Sequence, residues 1–215
     1  MKRANGLLIY TTLYLAFLYL PVLLLPLFSF NDGTIVAFPI KGWTLDWYRQ
    51  LGAQDTLLNA LGNSLIVGIT TALLATSMGL FAARAYVRNR FPGKEASEGL
   101  VMLPLVIPGI IVASSMLVLF ISIGLKPSLT AVILGHSFLA LPFSVSIMKS
   151  AFDDFDASLE EAAYDLGSTV LETFRRVTLP FLMPTIVTAA LIGMLQSFEN
   201  YNTTFFAIGP SWTLV

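Results

Sequence analysis

Cysteine is absent from this chain of 215 residues, and histidine occurs once. Disulfides and thiolate chemistry are therefore excluded, and a lone imidazole, His136, cannot assemble a metal site by itself. Charge is scarce: Asp, Glu, Lys and Arg make up 12% of the residues against 56% hydrophobic, with a net charge of −1. There is no G-x-x-x-x-G-K-S/T phosphate loop, so the chain lacks the usual means of binding and hydrolysing ATP. No nucleophile with a partnered base is visible, which argues against a membrane-embedded enzyme. Internal repeats and low-complexity tracts are missing too.

What is present is long apolar sequence. Mean hydropathy is +0.78, far above that of a soluble domain this size. Five stretches carry no charge: Ala4 to Asn31, Thr56 to Ala83, Gly99 to Leu125, Pro127 to Met148 and Val177 to Phe198. Each exceeds the roughly 20 residues that cross a hydrocarbon core. Backbone groups in lipid must be paired within the segment, and nothing here alternates like a barrel strand, so helices are expected. The spans fall at about 7–30, 60–83, 100–123, 129–148 and 181–201, within a single domain over 1–215. The first run follows Lys2 and Arg3 but is too long for a signal peptide and ends without a small-residue cleavage site. It reads as a membrane anchor.

Orientation follows from the basic residues. With the N-terminus inside, Lys2, Arg3, Arg84, Arg88, Arg90, Lys94, Lys149, Arg175 and Arg176 are cytoplasmic, against Lys41, Arg49 and Lys126 outside. The asymmetry favours N-inside and puts residues 150–180 in the cytoplasm. Within that segment, Ser158 precedes Glu161 by three residues and Thr169 precedes Glu172 by three. Each pair is a potential capping box, predicting two short helices. Gly167 lies between them, where a positive φ would close the first helix and turn the chain. Ala162 and Ala163 keep the first helix slim enough for close approach of another protein, and Pro180 marks where the second should give way.

The same segment reads Glu161-Ala162-Ala163, three residues, Gly167, nine residues, Val177, one residue, Leu179-Pro180. This resembles the EAA loop of ATP-binding-cassette importer permeases, departing from it only in Val177 for isoleucine. Further segments, Phe28 to Asn31, Gly42 to Tyr48, Asn59 to Ser64 and Phe155 to Ala163, resemble the spermidine/putrescine subgroup of that family. Related subgroups that handle iron, opines or other small solutes share parts of them.

The resemblance implies an all-α polytopic bundle of the type I importer (MetI-like) permease fold. Glu161, Ala162, Ala163, Gly167, Leu179 and Pro180 would form the site that docks on the ATPase. Implied partners are an ATPase dimer, a second homologous permease, a periplasmic solute-binding protein and the inner-membrane bilayer. ATP would act through the partner subunit, and no cofactor or metal is expected on this chain. The family usually has six helices with both termini inside, whereas only sixteen residues follow Glu199, interrupted by Gly209-Pro210. The expectation is thus five spans with a sixth missing, as in a truncated product, and an outer C-terminus in the polar-aromatic stretch from Tyr201 to Val215.

A path for a polyamine needs carboxylates and aromatic faces. Glu199, flanked by Phe198, Tyr201, Phe205 and Phe206, is the candidate; a solvated helix end is the other reading of it. Asp32, Asp46 and Asp55 solvate the outer loop or touch a binding protein, while Trp43, Trp47 and Tyr48 are either an interfacial belt or a partner contact. His136 is expected to make an interhelical hydrogen bond, as Asn63, Ser64, Ser114, Ser115 and Ser137 could. Pro104 and Pro108 should kink or open the third span and Pro142 the fourth, with Gly109 adding flexibility or close packing. A secondary transporter would need ion-coupling carboxylates in its spans, and none lies in the spans between Ala4 and Met148.

Overall fold

The computed structural model describes residues 2–209 and Leu214, with side chains described from Gly6 onward. The end of the polar-aromatic stretch, from Pro210 to Thr213 and Val215, lies outside the described residues. Among the described residues the chain is helical, with a single isolated β-bridge between Asn31 and Trp43. The contacts group into two compact units, Met1–Leu58 and Asn59–Val215.

The first unit holds α1, Lys2–Ser29, and α2, Asp46–Gly52. The segment between them folds around Asn31, which is buried. Its Oδ1 accepts from the Lys41 backbone N–H at 3.0 Å and its carbonyl from the Trp47 indole N–H at 2.9 Å. Tyr48 reaches the Ser29 hydroxyl at 2.6 Å. Two members of the aromatic cluster therefore fix this segment locally, and Trp43, 66% exposed, stands out from it.

The second unit begins within α3, Asp55–Arg88, which a loop over 89–93 joins to α4, Lys94–Met102. A 3-10 turn over Leu103–Leu105 leads to α5, Gly109–Ser122, and then to α6, Leu129–Asp153. Among the described residues four helices are long and apolar enough to cross a membrane: Gly6–Ser29, Asp55–Arg88, Leu129–Asp153 and Val170–Glu199. The third expected span is not one straight helix. Lys94–Leu105 and Gly109–Ser122 meet at 109°, because Pro104 sits in the 3-10 turn and Pro108 takes an extended conformation (φ −54°, ψ 129°) at the start of α5. Two missing donors four residues apart leave too little ladder to hold a helix together. The spans number five if the bent pair counts as one.

The core of this unit is built where helices carry small residues, which let backbones approach closely. Ala72, Ala75, Gly79 and Ala83 are buried along α3. One cluster joins Leu80 and Ala83 of α3, Met148 and Phe152 of α6, and Leu182 and Ala189 of α9 (Leu179–Glu199). A second joins Val67, Phe120, Ala131, Val132 and Ala207. Pro142 is buried inside α6 without ending it.

Candidate coupling loop and inter-helix cavity

After α6 the chain forms the short helix α7, Ser158–Asp165. Its N-terminus is not the expected Ser158/Glu161 capping box. Ala157 is the N-cap residue, and the Asp156 carboxylate accepts from the Ser158 backbone N–H at 2.9 Å. The Glu161 N–H, which a Ser158 hydroxyl would have satisfied, donates to the Ala157 carbonyl at 3.2 Å, because the helix starts one residue earlier. Hydrogen bonds from the Ser158 hydroxyl and N–H hold the Asp156 carboxyl below the ordinary 3.8.

The C-terminus of α7 follows the expectation for glycine. Gly167 has φ +86°. Its N–H donates to the Tyr164 carbonyl at 2.9 Å and the Ser168 N–H to Ala163 at 3.0 Å, the paired bonds of a Schellman turn. The second capping box is formed in full: Thr169 Oγ1 accepts from the Glu172 N–H, and the Glu172 carboxylate accepts from the Thr169 N–H at 3.0 Å. Helix α8, Val170–Thr173, starts there.

Pro180 does not end this helix as expected. A π-helical segment, Phe174–Thr178, carries the chain straight into α9, in whose first turn Pro180 lies. A first-turn residue has no intrahelical use for its N–H, so proline is tolerated there.

Glu161 and Ala162 are exposed, Ala163 and Leu179 half-buried, and Gly167 and Pro180 exposed. Beside them Leu166, 88% exposed, and Val170 and Leu171 present an apolar surface around the turn. The residue that anchors this hairpin is one the sequence reading passed over. Glu160, 6% exposed, is the one charged side chain classed as buried among the described residues. Its carboxylate meets Arg84 Nη1 at 3.1 Å and Arg88 Nε at 3.5 Å, and accepts a hydrogen bond from the Thr178 hydroxyl. Arg84 lies over the Phe174 ring at 5.1 Å and Arg88 over Phe155 at 5.5 Å. The available signal was Arg84 and Arg88 themselves, two cations four residues apart on one helix face.

Farther along the same helices is a cavity of about 320 Å³ lined by Ser64, His136, Ser197, Phe198, Asn200, Tyr201, Thr204 and neighbouring apolar residues. His136 makes the expected interhelical bonds: Nδ1 lies 2.8 Å from Ser197 Oγ and Nε2 lies 3.1 Å from Thr204 Oγ1. The Thr204 hydroxyl donates to the Asn200 carbonyl at 2.9 Å. A neutral imidazole carries one N–H, so the ring donates in one of these two contacts and accepts in the other. Asn200 breaks the helix (φ −87°, ψ 67°), and its side chain caps α10, Tyr201–Ala207.

Phe198 and Tyr201 line the cavity, whereas Glu199 is exposed at the end of α9 and is not part of the lining. Of the serines expected to bond between helices, Ser114 bonds within its own helix and Ser137 is buried without a partner. Pro104 lines a separate apolar groove of about 520 Å³ with Ile107, Ile111 and Phe138. No cluster of three potential metal ligands occurs among the described residues.

This arrangement, an all-helical membrane bundle with an exposed capped hairpin, has a solved counterpart. A bacterial ABC transporter involved in the import of the acidic polysaccharide alginate matches with a TM-score of 0.76 at 16% identity, over 96% of this chain and 75% of that one. The fold is therefore shared with a chain of that transporter. Residues 75–210 match the family described as binding-protein-dependent transport system inner membrane component, and the chain belongs to that family. The spermidine/putrescine transport system permease protein PotC of Escherichia coli K12 is 32% identical over 205 residues, covering 95% of this chain and 77% of PotC. The putrescine transport system permease protein PotI of the same strain is 32% identical over 204 residues, covering 92% and 72%. The trehalose transport system permease protein SugB of Mycobacterium tuberculosis is 31% identical over 205 residues, covering 93% and 74%.

Proposed function

We propose that this chain moves a polyamine of the spermidine/putrescine type into the cytoplasm, as one permease of an importer driven by ATP hydrolysis in a partner. The observation that carries the reading is the α7–Gly167–α8 hairpin, which combines the EAA pattern with an exposed apolar surface at Leu166, Val170 and Leu171. A slim helix tipped with apolar side chains is suited to a groove on another protein. Glu161, Ala162, Ala163 and Gly167, with Leu179 and Pro180 behind them, form the ATPase-coupling site in this proposal. The N-terminus and hairpin are cytoplasmic, as the basic residues favour. A second permease subunit completes the pathway, and a periplasmic binding protein delivers the solute.

The mechanism is alternating access. Closure of the ATPase dimer around ATP shifts the coupling helices, and the two permeases pass from inward-open to outward-open. The polyamine assignment is supported by the relatives PotC and PotI. Aromatic faces at Phe198 and Tyr201 suit an ammonium group, and Glu199 beside them supplies a carboxylate. An uncharged solute is the second reading, favoured by a lining that carries no charged side chain among the described residues and by the relative SugB.

The test is ATP hydrolysis by the complex reconstituted in liposomes with its neighbouring subunits and binding protein. Stimulation by spermidine-loaded binding protein is expected. Stimulation by a disaccharide but not by spermidine would overturn the polyamine assignment, and failure to assemble with an ATPase would overturn the importer reading.

A further inference from the structure

We propose that Glu160 is a positioning residue, a buried ionic latch through which the coupling helix carries α3 and α9 with it as one body. This rests on the coupling role given above to the α7 hairpin. The carboxylate joins three elements: α7 through its own backbone, α3 through Arg84 and Arg88, and the start of α9 through Thr178. Phe174 and Phe155 stack against the two guanidinium groups, and Phe155 meets Phe181 of α9 edge-on with ring centres 5.0 Å apart.

Beneath the latch lies the cluster of Leu80, Ala83, Phe152 and Leu182, against which Val87 and Phe174 pack. Such a site resists sliding. A buried carboxylate cannot leave its partners without facing apolar side chains uncompensated, and packed interfaces shift between discrete arrangements instead of deforming smoothly.

The latch also reaches the cavity. Arg84 and Ser64 belong to one unbroken helix, at opposite ends of roughly 30 Å at 1.5 Å per residue. Thr178 adjoins α9, which carries Ser197 a similar distance away. Both helices clamped by Glu160 therefore also line the cavity that holds His136. Displacement of α7 is transmitted to two walls of that cavity along continuous helices, α3 directly and α9 past its interior Pro184.

The experiment uses the full chain in complex with its partner subunits in liposomes. Spin labels are placed through Leu166→Cys and Met78→Cys, since the chain has no native cysteine to interfere. A narrow distance distribution is expected, broadening in Glu160→Gln and narrowing again in the charge-swapped pair Glu160→Lys with Arg84→Glu. Glu160→Gln should also lower the stimulation of ATP hydrolysis by loaded binding protein about tenfold while the ATPase still copurifies, and the swapped pair should recover it.

An equally narrow distribution in Glu160→Gln overturns the latch whatever the solute does. Loss of ATPase copurification that the swapped pair does not repair overturns it too, leaving Glu160 a purely structural residue. A narrow distribution that broadens as expected, in a complex no loaded binding protein stimulates, upholds the latch and contradicts the polyamine importer reading instead.

Discussion

A Cβ on Gly79 would lie 2.6 Å from the Cβ of Ser144 and 2.9 Å from its carbonyl carbon. Helices α3 and α6 thus cross backbone to backbone, with no room for a side chain on the α3 side. Gly79→Val should force them apart and cost about 1–3 kcal/mol, the usual range for overpacking. A thermal melt in detergent should show a lower midpoint for Gly79→Val than for Gly62→Val, where a Cβ meets nothing within 4 Å. Equal midpoints would mean the helices do not pack this way.

Gly167 presents the opposite case, since a Cβ there meets nothing within 4 Å and its φ of +86° alone restricts the residue. Gly167→Val should strain the turn by roughly 1–2 kcal/mol and misplace α7, abolishing stimulated ATP hydrolysis while membrane insertion persists. Gly167→Asn should be milder, because asparagine tolerates this conformation. Normal uptake by the valine variant would refute the coupling role of the turn.

The features of this loop that were legible in the sequence are those set by neighbouring residues. Gly167 and the Thr169/Glu172 box depend on backbone donors within a few positions, and both are formed. The Ser158/Glu161 box is not formed because the helix starts one residue earlier, at the N-cap Ala157, whose carbonyl takes the Glu161 N–H. Glu160 was passed over because its partner Arg84 is 76 positions away and the pairing exists only once α3 and α7 meet. The apolar runs announced helices and Pro104 and Pro108 announced a kink or opening in the third span, but its size, 109°, is set by how the two halves pack and is not written in local sequence.

Asp156 gives the loop a pH dependence. Its carboxyl lies below the ordinary 3.8 because Ser158 donates to the ionised form. A depressed folded value means the stabilisation is complete above 3.8 and disappears as pH falls through the lower folded value. Amide exchange in residues 158–165 should quicken over that acid window in the wild type. In Asp156→Asn the change should vanish, and an unaltered profile in that variant would assign the effect to another carboxylate.

Glu199 and Tyr201 can be separated by substitution. If the path runs through the aromatic lining, Tyr201→Ala should lower spermidine uptake by the reconstituted complex several-fold, on the scale of about 1–2 kcal/mol for a lost desolvated cation–π contact. Glu199→Gln should lower uptake more than it lowers docking of the binding protein. Unchanged uptake kinetics in Glu199→Gln would make that carboxylate a solvated helix end.

Docking of an ATPase on the hairpin around Gly167 can be tested directly, because the chain has no native cysteine. A photoreactive maleimide attached through Leu166→Cys, at the turn, is compared with one attached through Leu134→Cys on α6, where the side chain is also exposed. In the assembled complex, illumination should join the Leu166 variant to the ATPase subunit, giving one adduct of the summed mass, and should give none from Leu134. No adduct from Leu166, or equal adducts from both positions, would contradict the assignment.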